Sequence, residues 1–157
     1  MIARADGPVR ADASETFWLN RLKEAHANLI NAVDELARLT LGPLPDKDVL
    51  IGTRWKVSDA SLSRRLIWGR IHAHLSNRVD PNVERDLRHL QDMDARLIRT
   101  SATHVARWTA ESITEDWPGY CRASELMRRQ MIEAVGEERR LLYPLLDRFE
   151  REQKSVG

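Results

Sequence analysis

The stretch DPNVERDLRHLQDMDARLIRTSATHVARW, residues 80–108, decides the fold. Within it Val83, Leu87, Leu90, Asp94, Leu97, Ser101, His104 and Trp108 recur at alternating steps of four and three. That spacing is the a/d seam of a helix packed against other helices. Asp80-Pro81 supplies the start, with an N-cap carboxylate followed by a residue that has no amide hydrogen to waste. The helix is expected to run to about Ser112, where Pro118 and Gly119 mark a short turn. Asp94 interrupts the seam with a charge, while His89, Arg85 and Arg96 fall off it and are expected to be solvated.

Working outward, every other periodic segment also follows a 3.6-residue repeat, and none alternates as a strand does. Asp12 and Glu15 have the form of a capping box, and Trp18, Leu22, Leu29, Val33 and Leu36 then mark a first helix over 13–41, stopped by Gly42 and Pro43. His26 stands on its apolar face, either as a core histidine with one partner or as a ligand. Residues 41–57 hold Gly42, Pro43, Pro45 and Gly52 and read as a long irregular link, a strap or a lid, in which Trp55 is a possible anchor for a partner.

Ser58 or Asp59 is expected to cap a second helix carrying Leu62, Leu66, Ile67, Trp68, Ile71 and Leu75 and ending near Arg78. Its apolar residues reach most of the way round, which predicts burial on more than one side. His72 and His74 lie two apart and point about 200° from each other, so at most one faces the bundle axis.

The last helix is expected to run from Asp116 or Trp117 to about 151. Tyr120, Met127, Met131, Ala134, Glu138, Leu141, Leu145 and Phe149 form its core stripe. Glu138 lies in the middle of that stripe, where a carboxylate is costly unless neutralised, paired or bound to a metal. The architecture implied is all-α, an up-down-up-down four-helix bundle over 13–151, with a mobile leader at 1–12 and a polar tail at 152–157. At 1.5 Å per residue, His26, Asp94 and Glu138 then stand at a common height, roughly 20 Å from one end. The second helix contributes residues 65–70 to that layer, so Arg65 or Arg70, or else His26, is the expected partner of Glu138.

Composition narrows the function. Twenty-five Lys and Arg against 24 Asp and Glu leave no basic excess for nucleic acid or a membrane surface. No stretch approaches the roughly 20 apolar residues of a membrane span. One cysteine, Cys121, and a charged N-terminal segment point to a cytoplasmic protein. Cys121 in the first turn of the last helix has no histidine close in sequence, so it reads as a small packed residue and no catalytic set is nominated. Arginine pairs such as Arg64-Arg65, Arg128-Arg129 and Arg139-Arg140 read as solvated faces or ion-pair partners.

The order of elements, His26 on the first helix and the ending Glu138, Leu142, Tyr143, Pro144 resemble the hemerythrin-like family, also called the HHE cation-binding domain. The resemblance spans 13–151 and implies a helical bundle holding iron through histidines and bridging carboxylates. Candidate ligands are His26, His72, His74, Asp94 and Glu138. The chain departs from the family pattern at Ala134, where the last helix should carry a histidine, and at Ser76 and Arg78, where a glutamate should follow His72 or His74. Leu90 and Asp94 stand where a further ligand pair is expected. The resemblance therefore implies a degenerate metal site, with no cofactor, in a binding or regulatory module that takes a small ligand or protein partner. The alternative is a non-haem iron protein that binds or senses O2, NO or iron through a reduced ligand set.

Overall fold

In a computed structural model of the chain, residues 12–77 and 80–156 are described, the side chains of 12–16, 150, 153, 154 and 156 excepted. The regular structure of the described residues is all-helical, with no strand: α1 (Asp12–Thr40), α2 (Lys47–Leu75), α3 (Pro81–Arg107), α4 (Ala110–Glu115) and α5 (Trp117–Val156). The expected leader, save Asp12, lies outside the described residues, as do the side chains of the expected Asp12–Glu15 cap and Arg78. No helix among them is long and apolar enough to cross a membrane.

The link between the first two helices is far shorter than 41–57. Asp46 caps α2 by accepting the Asp48 amide at 2.8 Å, so Ser58 and Asp59 lie inside the helix, not at its start. Gly52 was the misleading residue, because an exposed glycine weakens a helix without breaking it. Trp55 is thus helical, and it is exposed. The short link is tied down where Trp117 Nε1 donates to the Gly42 carbonyl at 3.1 Å.

Asp80 caps α3 as its sequence dictates, accepting the amides of Asn82 at 2.9 Å and Val83 at 3.1 Å. The helix ends at Arg107, five residues short of Ser112, because Thr109 and Ser112 form a reciprocal capping box that starts the single turn of α4. Asp116 then accepts the Gly119 amide at 3.0 Å to start α5. The carboxylate sits so close over Gly119 that a Cβ there would collide with it. Residues 152–156 continue α5 and do not form a separate tail.

α1 packs against α2 and α5, and α5 packs against α3 and α4. The α1, α3 and α5 stripes are buried largely as their spacing predicts. On α2 only one side is covered: Leu50, Val57, Trp68, Ile71 and Leu75 face the core, whereas Leu62 and Leu66 remain exposed, against the expectation of burial on several sides.

Outside the core, Glu137 of α5 accepts from Arg140 Nε and Nη2 at 3.0 and 2.8 Å and meets His89 of α3 at 3.1 Å. Arg140 first, then His89, holds its carboxyl down to about 2 from an ordinary 4.5. A depressed folded value means that the stabilisation is complete above pH 4.5 and is lost as the pH falls toward 2. Acid unfolding of the parent and of Glu137→Gln should therefore diverge above pH 4.5 and converge below it. The gap should be small and shrink with salt, because the pair is at the surface.

Candidate functional site

The core is two apolar clusters rather than one. One holds Leu29, Val33, Val57, Leu97, Met127 and Met131, and the other holds Leu22, Trp68, Ile71, Leu90, Leu142 and Leu146. Between them, each long helix contributes one polar residue from its core stripe. His26 lies between Leu22 and Leu29, Arg64 between Val57 and Trp68, Asp94 between Leu90 and Leu97, and Glu138 between Ala134 and Leu142. These four side chains meet.

The Arg64 guanidinium is the centre of the layer. Nη1 donates to Glu138 Oε1 in a short contact, and Nη2 donates to Asp94 Oδ1 at 2.9 Å. One planar fork thus joins α2 to both α3 and α5, which a point-like ammonium could not do with the same geometry. Arg64 is 1% exposed, His26 2% and Glu138 3%, while the Asp94 side chain, at 15%, is the member nearest to solvent.

The second oxygen of Glu138 meets His26 Nε2 at 2.8 Å, and His26 Nδ1 lies 2.6 Å from the Tyr143 hydroxyl. Burial is the largest influence on the phenol of Tyr143 and raises its pKa, Glu138 adds to the rise, and Arg139 opposes it. Tyr143 therefore keeps its proton and can donate to Nδ1, which leaves Nε2–H to donate to Glu138. That chain gives both carboxylate oxygens of Glu138 and both ring nitrogens of His26 a partner. Arg64 Nε is a donor buried without one.

Of the expected partners of Glu138, His26 is one, but the arginine is Arg64 and not Arg65 or Arg70. Of the two readings of the Arg64-Arg65 pair, solvated face or ion-pair partner, Arg64 follows the second, because it continues the buried series Leu50, Thr53, Val57, Arg64, Trp68, Ile71, Leu75 at heptad spacing. The signal was in the chain but needed a helix beginning at 47. Tyr143 also escaped notice as the second partner of His26.

His72 and His74 do not join the layer. Each lies two or more turns beyond Arg64, about 12 to 15 Å along α2 by helix rise. His72 packs edge-on to Trp68 with ring centroids 5.4 Å apart. A hemerythrin-type iron pair does not fit the residues that are brought together. Among the described residues no three or more His, Cys, Asp or Glu side chains are placed to hold a metal ion. The position between Glu138 and Asp94 is filled by a fixed cation, and both ring nitrogens of His26 are already engaged.

Cys121 is half-buried, and burial raises its thiol above the ordinary value against the pull of Arg128 and Arg122. It is thus no activated nucleophile. Comparison of the chain with protein-family models, with curated proteins and with solved structures gives no match.

Proposed function

We propose that the chain is a non-catalytic binding or regulatory module, an up-down-up-down bundle of α1, α2, α3 and α5 with an ion-pair layer where a hemerythrin-like bundle would carry iron. The observation that carries this reading is the Arg64 fork between Glu138 and Asp94. It replaces a metal's charge with a guanidinium and spends both carboxylates on it. The likeness to the family rests on His26, Glu138, Leu142, Tyr143 and Pro144. The pairing of His26 with both Glu138 and Tyr143 gives three of those residues one shared physical task. A buried polar layer of this kind can also hold helices in a single register, since any slip strands a charge.

Metal analysis of protein purified from iron-supplied cells is the direct test. The expected content is below about one iron per chain, because the donor set is consumed by Arg64 and Tyr143. Two irons per chain, lost on chelation together with near-ultraviolet absorption, would instead establish the iron-protein reading and overturn this one.

A further inference from the structure

α2 and α3 are joined by the Arg64–Asp94 pair and, nearer the α4 end, by Arg54 Nη2 donating at 2.9 Å to the Trp108 carbonyl at the end of α3. Between these struts lies a cleft of about 230 Å3 that α5 also lines, walled by Leu36, Val57, Val105, Met127 and Met131, with exposed Trp55 also lining it. It is smaller than the ~300–1,000 Å3 typical of drug-sized sites. It is separate from the ion-pair layer.

The polar groups in this cleft are not balanced. Arg54 and Arg128 both line it, and neither has a carboxylate partner among the described residues. Arg54 is held by the Trp108 carbonyl. Arg128 donates to Thr40 Oγ1 at 3.1 Å and to the carbonyl and hydroxyl of Ser124 at 3.2 and 3.3 Å. Most other buried or interhelical charges here have an opposite charge to meet, so two guanidiniums on neutral acceptors at one cleft leave room for an anion.

Tyr120 is the second, independent observation. It lines the cleft, it is fully buried, and its hydroxyl has no hydrogen-bond partner. Ser124, one turn on, is near enough to lower the phenol's pKa as a hydrogen-bonding side chain would, but no contact between the two meets full hydrogen-bond geometry. Burial raises the phenol's pKa against the opposing pull of Arg54, so the group keeps its proton and is available as a donor. An orphaned buried hydroxyl in a native core calls for an explanation, and a ligand acceptor is one. His104, also in the lining, is kept neutral by burial first and by Arg54 second, so it adds no further charge.

We propose that this cleft binds a small amphipathic carboxylate, its carboxyl group held by Arg54, Arg128 and the Tyr120 hydroxyl and its apolar part laid against Met127, Met131 and Val105. The two guanidiniums supply donors only, and the protonated phenol can add one more, which favours an acceptor-only anionic group. The methionines supply an adaptable apolar wall that suits a short chain or single ring. This gives the binding-module reading a ligand class and a site, and it does not depend on whether the ion-pair layer holds iron.

Hexanoate, hexanol and inorganic phosphate, each titrated into the full chain by calorimetry and thermal unfolding, test the proposal. Hexanoate should bind and raise the unfolding temperature with concentration, as any ligand of the native state does. Hexanol and phosphate, each lacking one half of the ligand, should bind at least about tenfold more weakly. Tyr120→Phe should keep or raise the stability of the ligand-free protein, because it removes an unpaired buried hydroxyl, and should weaken hexanoate about tenfold. Arg128→Gln should weaken hexanoate by a similar factor and leave hexanol unchanged. No hexanoate binding at millimolar concentration, equal binding of hexanol, or unchanged hexanoate affinity in both variants would overturn the proposal. Iron found in the same preparation would bear on the ion-pair layer alone.

Discussion

Replacing Arg64 with leucine is expected to cost about 3 to 5 kcal/mol, because it strands the carboxylates that its guanidinium holds. The change removes the one cation of the layer and leaves two carboxylates facing each other through a cavity, one of them, Glu138, 3% exposed. Glu138→Leu should cost less, about 2 to 3 kcal/mol, because the Arg64–Asp94 pair survives and only Arg64 Nη1 and His26 Nε2 lose their acceptor. The double replacement should be milder than Arg64→Leu alone. Glu138 is then gone, and Asp94, with its side chain 15% exposed, can turn to water. Chemical denaturation of the three variants measures the coupling directly. A loss below about 1 kcal/mol in Arg64→Leu would show that the layer is solvated and that the carboxylates need no fixed cation.

Leu142→Ala and Leu66→Ala, the same chemical change at two helical positions, should differ sharply. Leu142 is fully buried in the cluster with Leu22, Ile71 and Leu146, so its truncation removes apolar contact and leaves a cavity, at about 2 to 5 kcal/mol. Leu66 on α2 is 62% exposed, and its truncation should fall within about 0.5 kcal/mol of the parent. Thermal or denaturant unfolding of both variants distinguishes the outcomes. Comparable losses would mean that α2 buries a second face, as its apolar content alone suggests, against something that covers Leu66 in solution.

The contrast between these leucines shows where reading the chain succeeds. The four long helices, the Asp80 cap, the stripes on α1, α3 and α5, and the presence of Asp94, Glu138 and His26 on core faces were all legible. Each follows from local rules: a 3.6-residue repeat, a carboxylate before a proline, a polar residue at a heptad position. The start of α2 was not legible, because Gly52 and three prolines or glycines before it resemble a loop, and only packing against α1 decides that a marginal glycine is helical. The loop-like start also hides Arg64, since three of the seven residues in its buried series, Leu50, Thr53 and Val57, fall within the expected link.

By itself, then, the chain determined that a buried carboxylate on the last helix needed a partner in a shared polar layer, because the cost of an unpaired charge is independent of topology. Which partner it found was decided only by tertiary structure. Arg64, Arg65 and Arg70 share the same chemistry, and they differ in the angle at which α2 presents them, about 100° per residue, and in height, about 1.5 Å per residue. The rotation of α2 is set by the burial of Val57, Trp68 and Ile71 against α1 and α5, and that places Arg64 inward between Glu138 and Asp94 while Arg70 stays exposed. The cleft at Tyr120 belongs wholly to the same level of organisation. A missing hydrogen-bond partner is a property of how helices are assembled, and no single helix carries it.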